Sequence, residues 1–291
     1  VFLFPAMCLC MFLGCAEDPT PVPTEITFQA VVGDQAFDCS KEYQGVGRDS
    51  GTLKPVDLRM YIHNIRLVRD SADSEEVPFT LSKVQDYQDD ASGVALLDFE
   101  DGKGNCKNGN ATMHVKLKGM APKYRYKSIK FAMGVPENHN HKDPTSAAAP
   151  LNVTSMTWNW KAGRIFMSAM GSNDKGVHLV HIGSAGCKGD PELGEDVQCA
   201  KPFRPEYTLT GFDPAQQKVV LDWKTIFSGS NVKDQPEGCN EFEGVNYCGC
   251  HSRGPDTVCS PPFTNFGMSW SDGQITSNNQ KVFRVENLAP E

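Results

Sequence analysis

"VDLRMYIHNIRLV", residues 56–68, sets Val56, Leu58, Met60 and Ile62 on alternate positions, with Asp57, Arg59, Tyr61 and His63 between them. A period of two is that of a strand with one apolar face, because successive side chains of extended chain project to opposite sides. The pattern returns in "ITFQAVVG" (26–33), "ATMHVKLKG" (111–119), "SIKFAMGV" (128–135), "SMTWNW" (155–160), "GVHLVHIGS" (176–184), "EYTLTGF" (206–212) and "KVVLDWKTIF" (218–227), the last turning helical at its end. Gly, Pro, Asn and Asp punctuate these runs, and none of the longer ones keeps a helical period. The expectation is an all-β fold, a sandwich or barrel-like single domain with long disulfide-stapled loops.

The chain of 291 residues is 39% hydrophobic, enough for one large core. Its net charge of −8 comes without any block of Lys or Arg, which removes the electrostatic footprint of a nucleic-acid binder. Residues 1–14, "VFLFPAMCLCMFLG", are uncharged and too short to span a bilayer, so they read as a signal peptide. "FLGC" then resembles a bacterial lipobox, which makes Cys15 the lipidated residue and 15–25, rich in Pro and Thr, a tether to the membrane. The β domain follows over 26–291.

With Cys8 and Cys10 removed and Cys15 lipidated, eight cysteines remain: Cys39, Cys106, Cys187, Cys199, Cys239, Cys248, Cys250 and Cys259. An even number in an exported chain points to disulfides, whose pairing spacing alone leaves open. Residues 229–265, rich in Gly, Pro, Asn and Cys, read as a stapled loop region rather than a second domain. "YCGCH" (247–251) has one residue between its cysteines where c-type haem attachment needs two.

In a strand, Met156, Trp158, Trp160 and Ala162 would share one face, which makes the indoles neighbours. Core packing, a sugar-stacking platform and a place beside a metal or redox centre all fit that arrangement. "LLDFEDGKGNCKNG" (96–109) offers Asp98, Glu100, Asp101, Asn105 and Asn108 as oxygen ligands for calcium, without the spacing of an EF-hand; a turn pinned by Cys106 is the competing reading. No nucleophile elbow or zinc-protease motif is present, so the chain is not read as an enzyme.

"FDCSKEYQGVG" (37–47), "VDLRMYIHNIRL" (56–67), "LLDFEDGKGNCKNG", "FAMGVPENHNHKDP" (131–144), "APLNVTSMTWNWKAGRIF" (149–166) and "HLVHIGSAGC" (178–187) together resemble the MbnP-like family of methanobactin-associated periplasmic copper-binding proteins, which includes the four-Cys member of the metallo-mystery pair. The resemblance covers most of residues 28–215 and is weaker in the Cys-rich C-terminal part. It implies an exported β protein that binds copper and is encoded beside an MbnH-like dihaem partner of the cytochrome c peroxidase family. That partner oxidises a tryptophan to kynurenine, whose amine joins histidine nitrogens on copper; Trp158 and Trp160 are the candidates, with Trp158 preferred.

Copper suits imidazole and soft sulfur ligands. By the same resemblance His141, in "NHKDP", and His181, in "VHIGS", are the leading ligands and His63, in "MYIHNI", the third. His139 and His178 lie near enough in sequence to substitute, Asp143 is placed to orient an imidazole, and Met133, Met156, Met167 and Met170 read chiefly as core. His114 and His251 are assigned no metal role. Two other readings stay open: a surface lipoprotein that binds glycans through the Trp158/Trp160 pair, and a purely structural envelope protein.

Overall fold

The computed structural model describes residues 19–84, 86–107, 110–159, 161–234, 238–252 and 256–289. The leader expected over 1–14, Cys15, Asn108 and Trp160 lie outside the described residues. Strands dominate and gather into two large sheets that face each other without closing into a barrel, so the sandwich form of the expectation holds.

The first sheet runs Phe283–Asn287, Gln217–Asp222, Pro21–Val32, Lys116–Pro122, Thr80–Leu81. The second is organised on Gly51–Arg69, a 19-residue strand that pairs along one edge with Met167–Asn173 and then Tyr126–Met133, and along the other edge with Val94–Asp98. Met167–Asn173 continues to Gly176–Ile182, and that strand pairs in parallel with Val245–His251. The apolar half of the 56–68 alternation performs as the period requires. Leu58, Met60 and Ile62 are fully buried and join Met167, Ala169, Val180 and Ile182 in a core shared with Ile26, Phe28, Val219 and Leu221 of the opposite sheet. Phe28 meets Phe131 edge to face at 5.8 Å between ring centroids, which closes the two sheets on one another.

The other face of the second sheet carries a smaller apolar cluster, in which Tyr61, Leu96, Val135, Leu151, Met156 and Phe166 are buried and Trp158 packs at the edge. The long segment 134–166 lies over this face. It is fastened by Arg164, whose guanidinium is buried and donates to the carbonyls of His139, Asn140 and Leu151 at 2.6–3.1 Å.

All eight expected cysteines pair, as Cys39–Cys106, Cys187–Cys199, Cys239–Cys248 and Cys250–Cys259. Three local readings change. The strand expected over 155–160 is a 3-10 turn at Thr154–Met156 followed by a short strand at Thr157–Asn159, because Met156 is drawn into the apolar cluster. The strand expected from 111 starts at Lys116. Residues 229–265 are stapled as expected but include the Asn240–Phe242 and Val245–His251 hairpin and the helix Asp256–Asn265. The partner of Val245–His251 lies some seventy positions earlier, so no local alternation announces the pairing. Gly249 permits it, since a Cβ there would stand 2.2 Å from the Leu179 carbonyl oxygen.

Trp223, fully buried, occupies the space left by Gly171, where a Cβ would lie 2.8 Å from the indole and 3.2 Å from Leu53 Cβ. Gly171→Ala should therefore overpack the core and cost about 1–3 kcal/mol, read as a lower urea midpoint.

Candidate functional site

Five strands of the second sheet line up one residue each in a single row. Asp98 stands opposite Arg59, Arg59 opposite Ser168, Ser168 opposite His181, and His181 opposite His251. Directly opposed residues share a face, so this polar row crosses the sheet on the side turned away from the main core. Its inner half is buried: Asp57, Arg59, Asp98, Glu100 and Ser168 are each at most 3% exposed.

Arg59 holds that half together. Its guanidinium forks onto Asp57 at 2.8 and 2.7 Å and donates to Ser155 Oγ at 2.9 Å; Ser168 Oγ donates to the same Asp57 carboxylate at 2.8 Å. Asp98 accepts the backbone N–H groups of Glu100 and Asn110, while Glu100 lies 3.5 Å from Arg59 Nε and interacts with the Asp57 carboxylate. Three carboxyls thus surround one guanidinium in a low-dielectric place. Burial, reinforced by Asp57 and Asp98, drives Glu100 well above the carboxylate range, and burial lifts Asp98 to about 6. Glu100 is the protonated member at neutral pH.

The outer half ends in two imidazoles. The rings of His181 and His251 meet edge to face with centroids 5.0 Å apart, and the indole of Trp158 lies 6.5 Å from His251. Ser252 bridges the strand ends by accepting from Gly183 N at 2.6 Å and donating to the His181 carbonyl at 3.1 Å. Gly183 leaves room for Trp158: a Cβ there would stand 2.7 Å from the six-membered ring of the indole and 2.7 Å from the Arg164 carbonyl oxygen. Trp158 is half-buried against this strand end rather than standing free as a platform.

His181 Nδ1 is fully buried and has no hydrogen-bond partner. Burial first, and the neighbouring His251 second, depress its pKa to about 4, so the ring is neutral at physiological pH. A neutral imidazole with an unsatisfied buried nitrogen and a second imidazole beside it are two nitrogen donors close together, with the Trp158 indole packed next to them.

The other expected residues lie as follows. His141 Nε2 is 3.0 Å from Asn140 Nδ2, 3.3 Å from Glu137 Oε1 and 3.5 Å from Cys199 Sγ. His63 Nδ1 is 2.9 Å from the Gly134 carbonyl. His178 is buried against Asn173, and His114 stacks on Tyr87. Asp143 turns to Thr145. Among the described residues two groups of His, Cys and acidic atoms come close together, His141/Cys187/Cys199 and Cys39/Glu100/Cys106, but in both the sulfurs are bonded to each other and are not thiolates. In the loop considered for calcium, Asp98 and Glu100 face Arg59, Asp101 pairs with Lys103 at 2.8 Å and Asn105 donates to the Cys39 carbonyl. These engagements, with Cys106 tied to Cys39, favour the turn reading.

Of the residues expected from the sequence, the structure brings His181 and Trp158 into one neighbourhood, and His251, assigned no metal role there, stands between them. The only local signal for His251 is its place after "YCGC"; its role comes from a parallel pairing that spacing does not reveal.

A model of the MbnP family matches residues 21–241. Among solved structures, MbnP from Methylosinus trichosporium is similar at 26% identity and a TM-score of 0.76, with 92% of this chain and 99% of that chain covered. No curated protein matches the chain.

Arg59→Met should cost about 3–5 kcal/mol in chemical unfolding, because it leaves buried acids without their cation. A second outcome concerns pH. The unfolded His181 binds a proton near 6.5 and the folded one only near 4, so stability is whole above 6.5 and falls as pH drops from 6.5 towards 4. Thermal melts across that window should show a shallower decline in His181→Gln than in the parent chain.

Proposed function

The chain belongs to the MbnP family, and from that premise we propose that it is an exported, non-catalytic copper-binding protein whose metal is held by His181, His251 and an aromatic amine made from Trp158. The observation that carries this reading is the buried, unpartnered Nδ1 of a neutral His181, 5.0 Å by ring centroid from His251 and on the side of the sheet where Trp158 packs. This set keeps His181 from the expected ligands and puts His251 in place of His141 and His63.

Copper would be cargo here rather than a catalyst. The chain's own contribution is preorganisation: the polar row fixes His181, the parallel strand brings His251 beside it, and Gly183 admits the indole. An MbnH-like dihaem partner would act on Trp158 after export. In that oxidation the C2–C3 bond of the indole breaks as oxygen is added at both carbons. The two oxygens come from water, and the four electrons released pass through the partner's haems to two molecules of hydrogen peroxide; C2 then leaves as formate on hydrolysis and the ring nitrogen becomes a primary aryl amine. The side chain gains one oxygen and loses one carbon overall. A leader over 1–14 and a lipid on Cys15 would place the protein in the periplasm at the outer membrane. No helix among the described residues is long and apolar enough to cross a membrane.

The test is peptide mass spectrometry of the protein made with its partner, with copper quantified on the same sample. The expected result is a peptide modified at Trp158 and bound copper. His181→Ala and His251→Ala should each weaken copper binding by more than the 10–100-fold typical of losing a ligand's hydrogen-bond partner, roughly speaking. Copper bound equally well by both variants, or an intact Trp158 with no copper despite an active partner, sinks the reading. The second outcome would leave Trp158 as packing.

A further inference from the structure

Cys187 and Cys199 face each other across a two-stranded hairpin, Ala185–Lys188 with Gln198–Lys201, that stands apart from both large sheets. Both are half-buried. Cys39–Cys106 and Cys250–Cys259 are buried at both ends and Cys239–Cys248 joins an exposed cysteine to a buried one, so among the four this is the disulfide in which neither cysteine is buried. His141 Nε2 lies 3.5 Å from Cys199 Sγ, and the ligand atoms of His141, Cys187 and Cys199 all fall within 4.8 Å of one another. Glu137, 3.3 Å from the same imidazole nitrogen and 2.6 Å from Arg204, is anchored beside them. A cavity of about 490 Å³ opens next to His141 and is lined, besides the Arg204-paired Glu137, by Glu195 and Asp196 against Lys142, a local charge that favours cation entry.

The geometry points to a second metal site that exists only when this disulfide is reduced: the thiolates of Cys187 and Cys199 with His141 Nε2 hold a d10 cation, Zn²⁺ or Cu⁺. Thiolate and imidazole together are the donors that such ions select. The reductant is a dithiol of the Cys-x-x-Cys class. Its thiolate attacks Cys187 Sγ, the Cys187–Cys199 bond breaks, and Cys199 leaves as a thiolate next to His141. The second thiol of the reductant then resolves the mixed disulfide. Two electrons and two protons pass from the dithiol to the two cysteines, the dithiol becomes a disulfide, and the cation displaces the protons from sulfur. The other group of close ligand atoms, Cys39/Glu100/Cys106, is buried throughout with Glu100 held at Arg59, so opening it would disturb the polar row. The proposal does not rest on copper at His181 and His251.

The full chain is treated anaerobically with limiting dithiothreitol. Alkylation and peptide mapping identify which cysteines open first, and Zn²⁺ and Cu⁺ are titrated separately against chromophoric chelators. The expected result is that Cys187 and Cys199 are labelled first and that the reduced protein holds one added equivalent of cation. Alkylating the two thiols before metal is added should remove that equivalent without any substitution, and His141→Ala should weaken it by at least about tenfold. Earlier opening of another disulfide, or opening of this one with no added cation retained, overturns the proposal. Binding unchanged in His141→Ala overturns it as well.

Discussion

The guanidinium of Arg59 sits among Asp57, Asp98 and Glu100 with almost no access to water, and the arrangement of the second sheet follows from keeping it there. Register in a strand is set by which side chains must be buried, since a slip of one residue turns every side chain to the opposite face. Such a slip in Gly51–Arg69 would drive Arg59 into the apolar core and expel Leu58, Met60 and Ile62. Both the ionic and the apolar half of the alternation forbid it. Once that strand is fixed, Ser168 must stand beside Arg59, where its hydroxyl reaches Asp57, and His181 must stand beside Ser168.

A buried ionic cluster of this kind is a poor source of stability, because desolvation takes back most of what the charges gain. Its value here is positional. The cluster carries one proton too many for three ionised carboxyls, and the protonated Glu100 reduces the charge imbalance around Arg59. Beyond it, the environment that raises Glu100 lowers His181, and for the same reason: each group takes the neutral form when water is removed. The row therefore passes from paired charge at its centre to a neutral imidazole at its edge, where a metal can compete for the lone pair without first displacing a proton.

Much of this was legible in the sequence, and the limits follow from locality. The alternation in 56–68, and in the strands that flank it, identifies the sheet because strand period is a local property of the chain. The eight cysteines were legible as disulfide partners by number and compartment, but not as pairs, since pairing depends on which loops meet. His181 and Trp158 were found through their surrounding motifs. His251 was not, because what gives it significance is opposition to His181 across a parallel pair. His141 shows the converse. Its motif was noticed, yet its setting beside the Cys187–Cys199 disulfide is a property of the hairpin over 185–201 and cannot be read from the residues around it.

The position of His251 bears on how the site is assembled. The family match ends at residue 241, and His251 lies beyond it, on a strand held at Cys248 by Cys239 and at Cys250 by Cys259. A parallel strand cannot reach its neighbour by a tight turn; it needs a long connection, and the chain between Ile182 and Val245 supplies one through the opposite sheet. Gln217–Asp222 lies within that connection and pairs with Pro21–Val32, so the segment that returns the chain from His181 to His251 is itself part of the first sheet. The two imidazoles, far apart in sequence, thus owe their opposition to a long-range parallel pairing whose connection is anchored in the other sheet.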